Sequence, residues 1–543
     1  MSTESVSVES VELLPDPRRL MEGLRDTGYQ LNTAIADIVD NSIAAEATLI
    51  ELYLEMDFRG NVRIAIADNG TGMDREGLLN AMKYGSDRRA NPASLGKFGL
   101  GLKTASTAFC KCLSVISRNK GDMPLLCASW DLDHVIKTGR WELLLTEKVD
   151  AGAAALLEKV APSASGTVVL WTKIDRLFDR EYKNAGGAQA QNGFQRKISS
   201  LAEHLGAVYQ RFLDTGDSRA RNVVIRINKA LVLPWDPFQV SVSDLVAKED
   251  VPTELNGGAT ANFSVRAYIL PRSTEYPTPE EEEKAKLGNT RQGLYIYREN
   301  RLIHEADWLG MFTKEPHGSL LRVEFSFDHH LDEAFHIDIK KSQIILNETL
   351  WVWLRDEFLT APRREANNRY RSGQRAAAFK KAEGSHITSN RNIAAKEGEI
   401  NLAEVSVSNA ETGEAEITNK ISGSFKLKLN INKQSKPGEV YVQTVESLTD
   451  GALYEPTLTN GHQSVRINTG HPYYHKVYVP NLSRNVTIQG MDALLWALGA
   501  AELSSTSPNT QRHFEEMRFE LSRILRKLVE DLPDPEGEQD VAG

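Results

Sequence analysis

Cysteine is nearly missing from this 543-residue chain, which has three: Cys110, Cys112 and Cys127. They provide no disulfide framework and too few ligands for a zinc site, so buried thiols in a reducing compartment are expected. No uninterrupted apolar run reaches membrane-spanning length, and the opening MSTESVSVES lacks the apolar core of a signal peptide. The expectation is a soluble cytoplasmic protein with no membrane partner. Positive charge is not in excess either, with 64 Lys and Arg against 74 Asp and Glu and a net charge of −10. That balance does not advertise nucleic-acid binding, but a net count averages over faces and leaves room for a local basic groove. The length exceeds one hydrophobic core and fits about three domains.

What the chain does have is three short patterns in fixed order between Ala36 and Ser106: DIVDN at 37–41, DNGTGM at 68–73 and GKFGLGLKTAS at 96–106. The first lies in LNTAIADIVDNSIAA, where Leu31, Ile35, Ile38 and Val39 recur at helical spacing. That period puts Asp37 and Asn41 on one exposed face, where a carboxylate can deprotonate water and an amide oxygen can hold a hard cation. Taken alone, the pair is more simply read as solvating an amphipathic helix.

The second pattern ends a strand in which Val62, Ile64 and Ile66 alternate with polar or small residues. Asp-Asn-Gly is by itself an ordinary turn. Gly72 and Met73 go beyond that: Gly70 and Gly72 would let the backbone approach a flat ligand, Asp68 would meet an exocyclic amino group, and Met73 would supply an adaptable apolar wall. In the third pattern Gly96, Gly99 and Gly101 lead into a helix start with Lys103, an arrangement that can cradle an anion. It is not a P-loop, because Leu102 separates Gly101 from Lys103.

In series, these patterns resemble the GHKL superfamily of gyrase, the large heat-shock chaperone, histidine kinases and MutL, with the MORC proteins as relatives. The resemblance implies ATP and Mg2+ as cofactors. It makes Asp37 the water-activating base, Asn41 the magnesium ligand and Asp68 the adenine contact within Asp68, Gly70, Gly72 and Met73. An ATP lid over the phosphates would comprise Gly96, Lys97, Phe98, Gly99, Leu100, Gly101, Leu102 and Lys103. SGTVVLW at 165–171 is similar to the family's late core strand and makes Thr167 a second contact near adenine. The family usually has Glu where this chain has Asp37, one methylene shorter. A misplacement of about 1 Å can cost on the order of a hundredfold in rate, so slow hydrolysis is expected. Asp40 ranks second as the base, and Ala44 stands where many relatives carry an acid.

The expected fold is α+β: a GHKL (Bergerat) sandwich of helices on a mixed sheet over 1–180, a transducer-like α/β domain over 181–346, a basic helix and polar linker over 347–420, and a C-terminal α+β domain over 421–543. In the second domain, strands are expected around VVIRI, FSVRAYIL, GLYIYREN and LLRVEFSF, with TEYPTPEEEEKAK as a solvated loop. INKALVLPWDPF and QGLYIYRENRLI resemble strand-turn pieces of a transducer domain. In FHIDIKKSQIIL the resemblance makes Lys341, ahead of its neighbour Lys340, the residue sent back to the γ-phosphate.

Seven basic residues against one acid, Glu365, mark 363–381 either as a solvated helix or as the segment able to contact a phosphodiester backbone, with Tyr370 as a stacking surface. His471 and His475 are read as lying at a strand edge rather than on a metal-binding helix. The resemblance implies a nucleotide-gated dimeric clamp on DNA or a partner protein, in bacterial genome maintenance or phage defence. The alternatives are a chaperone-like remodeller and a nucleotide-binding module that does not hydrolyse. A histidine kinase is disfavoured, because no histidine-bearing dimerisation helix precedes the site.

Overall fold

The computed structural model describes residues 16–532 apart from 27, 87–90, 96–100, 122, 179–181, 255–259, 333–347, 383, 401–402, 410–413, 420–422, 429–430, 433, 435–436, 449–450, 483–484, 506 and 531. Two compact units divide the chain, Met1–Asn367 and Asn368–Gly543.

The first unit opens with helices α1 (Pro17–Arg25) and α2 (Leu31–Ala44), then strands β1 (Leu49–Met56) and β2 (Val62–Asp68). Helices α3 (Arg75–Met82) and α4 (Gly101–Thr107) precede β3 (Cys110–Arg118) and β4 (Leu126–Asp131). Next come α5 (Leu132–Thr138), β5 (Leu144–Thr146), α6 (Ala151–Val160) and β6 (Gly166–Ile174). Helices α7 (Ala188–Val208) and α8 (Gln210–Leu213) lead to β7 (Val224–Ile227) and β8 (Ala230–Leu231).

These strands form one mixed sheet in the order β5-β4-β3-β6-β2-β1-β7-β8, with β1 and β7 parallel. The segment read as opening the second domain therefore adds its strands to the edge of the first sheet. Both faces are covered, which is why β6 reads as an unbroken apolar run. Ile64, Ile66, Val169 and Trp171 pack with Ile35, Ile38 and Val39 of α2 in one core. Ala65, Ala67, Val168 and Leu170 pack with Leu157 and Val160 of α6 in another. The small residues that alternate along β2 thus lie under a helix and do not face water. The three thiols are free, and burial raises those of Cys110 and Cys127 above the usual cysteine range.

A second sheet follows in the same unit: β9 (Asp244–Glu254), β10 (Thr260–Ile269), β11 (Gly293–Arg298), β12 (Arg301–Asp307) and β13 (Leu321–Phe327), ordered β12-β11-β13-β10-β9. The acidic segment between β10 and β11 holds a short helix, α9 (Pro279–Ala285), whose start is capped by the Thr278 hydroxyl. One face of the sheet is apolar. Val265, Ile296, Val323 and Phe325 pack there against Leu350 of α10 (Glu348–Val352), the π-helical turn Trp353–Phe358 and the start of α11 (Thr360–Ala382). The other face carries Tyr268, Tyr295 and Tyr297 beside a buried Glu324. Glu324 Oε1 is shared by Arg211, Arg219 and Arg266 at 3.1, 3.3 and 3.0 Å.

The second unit holds α12 (Ile387–Ile400) and a three-stranded antiparallel sheet of β14 (Ala403–Asn409), β15 (Glu414–Asn419) and β16 (Gly423–Lys428). A four-stranded sheet combines β17 (Ile431–Asn432), β18 (Val442–Val445), β19 (Tyr454–Thr459) and β20 (His462–Asn468) in the order β17-β19-β20-β18. Helices α13 (Asn485–Leu503) and α14 (Pro508–Leu528) close the unit.

Two expectations need correcting here. Residues 384–420, read as a polar linker, carry a 14-residue helix and two strands. Their polar side chains are buried and hydrogen-bonded: Asn390 Oδ1 accepts from the amides of Val440, Tyr441 and Val442. His471 and His475 lie at a helical turn, not a strand edge, because Tyr474 and Tyr478, four apart, stack at 4.7 Å in the core. Among the described residues, no helix is long and apolar enough to cross a membrane.

Candidate functional site

Helix α2 and the end of β2 build the site. The helix turns Ile35, Ile38 and Val39 into the core, and Asp37, Asp40 and Ser42 are carried inward with it. The Asp37–Asn41 face is therefore not the exposed one the helical period suggested: Asp37 is 7% exposed, and Asn41 is half-buried. The Tyr29 hydroxyl lies 3.1 Å from Asp37 Oδ2. The Asn41 amide nitrogen donates to the Asp37 carbonyl at 2.9 Å; the atom of this side chain that could hold a hard cation is its oxygen.

Five residues on from Asp37, about 7.5 Å along the helix axis, the Ser42 hydroxyl donates to Asp68 Oδ2 at 2.7 Å. The Gly70 amide donates to Asp68 Oδ1 at 2.9 Å. Burial pushes the Asp68 carboxyl above its usual range, against the pull of these hydrogen bonds. Asp68 pairs in register with Thr167 on β6. The Thr167 hydroxyl lies 2.9 Å from that of Ser117, which also accepts from the Met73 amide at 2.9 Å. Asp68, Thr167 and Met73 are thus brought together at one end of the site by two serines the motifs did not single out.

The glycines of this pattern are also required by the chain itself. A Cβ on Gly72, at φ +64°, would stand 2.0 Å from the Arg118 carbonyl, and one on Gly70 would stand 2.6 Å from the Ala45 carbonyl. The close approach they permit is to the protein's own backbone, which closes the turn around Asp68. Asn69 works to the same end, its side-chain oxygen accepting from the amides of Thr48 and Leu49.

At the other end, Gly101 and Leu102 begin α4, and a Cβ on Gly101 would reach 3.5 Å from Asp37 Oδ2. Lys103 is buried in this structure, with its ammonium donating to the Ala81 carbonyl at 2.9 Å. Gly96, Lys97, Phe98, Gly99 and Leu100 lie outside the described residues, as do Lys340 and Lys341.

Asp40, the second-ranked base, is committed elsewhere. At 1% exposure it accepts from the Tyr209 hydroxyl at 2.7 Å and from Arg301 Nε at 2.9 Å. Arg301 comes from β12 of the second sheet, and its Nη2 stands 3.9 Å from Asp37 Oδ1. Burial opposes the charge on Arg301, but Asp40, Tyr209 and Asp37 raise its pKa above the ordinary value, so the group stays cationic. Neither Arg301 nor Tyr209 belongs to a local motif. The only sequence signal for Arg301 was its position just after the turn in QGLYIYRENRLI.

Residues 29–167 match the family described as "Histidine kinase-, DNA gyrase B-, and HSP90-like ATPase". The stretch runs from Tyr29 to Thr167, two of the residues just placed around the site, and it is a GHKL-type ATPase domain. Among curated proteins the chain is similar to ATPase MORC2B of Mus musculus and ATPase MORC2 of Homo sapiens, each 32% identical over 100 residues. That overlap is 18% of this chain and 10% of each relative, so the chain matches about a tenth of those proteins' length. A solved structure described as the N-terminal domain of a DNA repair protein aligns over 66% of this chain and 99% of its own, with 16% identity and a TM-score of 0.36.

Proposed function

We propose that the protein binds ATP with Mg2+ between Asp68 and Asp37, hydrolyses it slowly, and uses the nucleotide as a switch that brings two copies together around DNA or a protein partner. The observation that carries this reading is the buried Asp68 carboxylate, held by Ser42 and Gly70 beside Thr167 inside the matched ATPase domain. A carboxylate so placed accepts from the adenine amino group. Asn41 is the residue that would hold the magnesium ion, which when bound offsets phosphate charge. Asp37, oriented by the Tyr29 hydroxyl, takes the proton from the attacking water. Gly96 to Lys103 would close over the phosphates, and Lys341 would reach the γ-phosphate from the second domain.

The nucleic-acid part of the proposal rests on α11. Arg363, Arg364 and Arg371 are exposed on this helix, and the Arg363 guanidinium sits 3.6 Å over the Phe312 ring. The side chains of Arg375, Lys380 and Lys381 lie outside the described ones. Binding to duplex DNA through such a helix falls steeply as salt rises, and apolar contact with a protein client does not. Sizing with and without a non-hydrolysable ATP analogue and Mg2+, repeated with DNA at two salt concentrations, tests the switch. An analogue-dependent dimer supports it, and a monomer unchanged by saturating analogue removes it.

A further inference from the structure

The β11–β12 hairpin places two buried arginines within reach of helix α2 and of the turn at Pro92–Ser94. Glu299 and Asn300, with φ of +48° and +67°, form its two-residue turn, so Arg298 and Arg301 face each other across the strands. Directly opposite residues share one face of a hairpin. Both side chains are buried, at 3% and 4% exposure.

Arg301 holds Asp40 through Nε at 2.9 Å and stands 3.9 Å from Asp37 Oδ1 through Nη2. Arg298 grips Asp332 with two bonds, of 2.6 and 2.8 Å, and extends its guanidinium to the carbonyls of Ser94 and Pro92 at 3.4 Å. Those carbonyls lie just ahead of the glycine-rich segment that begins at Gly96. One hairpin end of the second sheet therefore touches the helix bearing Asp37 and the Pro92 and Ser94 carbonyls together.

Stability alone does not account for this arrangement. Buried ion pairs are often no better for stability than apolar residues of similar volume, because removing charges from water costs several kcal/mol per ion, roughly what their attraction returns. We propose that Arg301 is a positioning residue for ATP turnover: it grips Asp40 and, through that grip and its charge, holds the neighbouring Asp37 in place against the second sheet, so that hydrolysis depends on where that sheet's hairpin sits. This inference rests on the ATPase reading above. At 3.9 Å, Arg301 acts on Asp37 through its charge and its grip on the neighbouring helical turn, not through a short hydrogen bond. The Asp68 end of the site, which takes the base of the nucleotide, has no contact with it in this scheme.

The test compares Arg301→Met and Arg301→Lys with wild type, measuring calorimetric affinity for a non-hydrolysable ATP analogue with Mg2+ and steady-state phosphate release. Arg301→Met is expected to lower kcat at least tenfold while the analogue's Kd stays within about threefold, and Arg301→Lys, which keeps the charge, to recover most of the loss. An unchanged kcat in Arg301→Met overturns the proposal, as does a parallel loss of affinity and turnover that Lys does not restore. Should Arg301→Met fail to fold, Asp40→Asn releases the same anchor, and a kcat equal to wild type in that variant overturns it equally. Wild-type protein that neither binds nor hydrolyses ATP would refute the ATPase reading itself. Active wild type with indifferent variants refutes this inference alone.

Discussion

The two ends of the site solve the same problem, a buried carboxylate, in opposite ways. Around Asp68 the partners are neutral: the Ser42 hydroxyl and the Gly70 amide, with burial raising the carboxyl's pKa. Around Asp37 and Asp40 the hydroxyls of Tyr29 and Tyr209 are joined by a cation, Arg301, brought from another sheet. An acid surrounded by neutral donors keeps a strong preference for one more donor, which suits recognition of an amino group. A pair of acids beside one guanidinium is held in place, which suits a base whose work depends on position. On the proposed function, recognition would stay local to one sheet while turnover would answer to the second.

Substitutions at each end should separate these roles. Asp37→Asn should reduce phosphate release by about a hundredfold or more, within the range removed with a general base, and leave the affinity for ATP analogues nearly intact. Equal rates would show that Asp37 is not the base. Asp68→Asn should do the reverse, weakening ATP binding by about a hundredfold as a charge-assisted bond to the adenine amino group is lost. The same variant should melt no lower than wild type in the absence of nucleotide, because it removes a buried charge whose protonation burial favours. A large drop in the melting midpoint would mean that Asp68 is a structural acid.

Farther along the cation-rich side, Glu324→Ala should destabilise the first unit by about 3–5 kcal/mol in urea titration, since Arg211 would be left buried without its carboxylate. A cost near zero would show that the three arginines re-pair easily.

The smallest expected effect is one of pH. Burial, with Arg301 adding to it, lowers the His204 pKa to about 4 from an ordinary 6.5. The folded state then refuses a proton that the unfolded chain accepts. His204 contributes its stability in full above pH 6.5 and loses it as pH falls toward 4, at no more than about 1.4 kcal/mol per pH unit. His204→Asn should flatten that part of the melting-midpoint profile, and an unchanged slope would place the titration elsewhere. His471 in the second unit is lowered in the same way, to about 4, and serves as an internal comparison.

The parts of the site that could be read from the sequence were those encoded locally. The α2 period, the β2 alternation ending at Asp68 and the strand carrying Thr167 each leave a short-range pattern, and the α+β class came with the family that the motifs resemble. Arg301 did not appear, because its partner Asp40 is 261 residues away and a buried ion pair imposes no periodicity on either strand or helix. The burial of Asp37 was missed for a related reason. A polar residue at a helical position reads as solvated unless the neighbouring domain that covers it is known.

Composition misled in the same direction at 384–420. Ser389 and Asn390 look like linker residues, yet both are buried, Ser389 donating to Asp492 and Asn390 accepting from three successive amides of the facing segment. The glycines of the second pattern mark a close approach, and packing shows one such approach, to the backbone of Ala45 and Arg118. A small residue announces that something is near, and only packing shows what.

The central claim is that Asp68 reads the amino group of adenine. Calorimetric titration of the wild-type protein with ATP and with inosine triphosphate, each with Mg2+, tests it most directly, because the two ligands share their phosphates and sugar and differ where the carboxylate points. ATP should bind with saturation at one site per chain and about a hundredfold more tightly than the inosine analogue. Equal affinities, or no binding of either, would contradict the account.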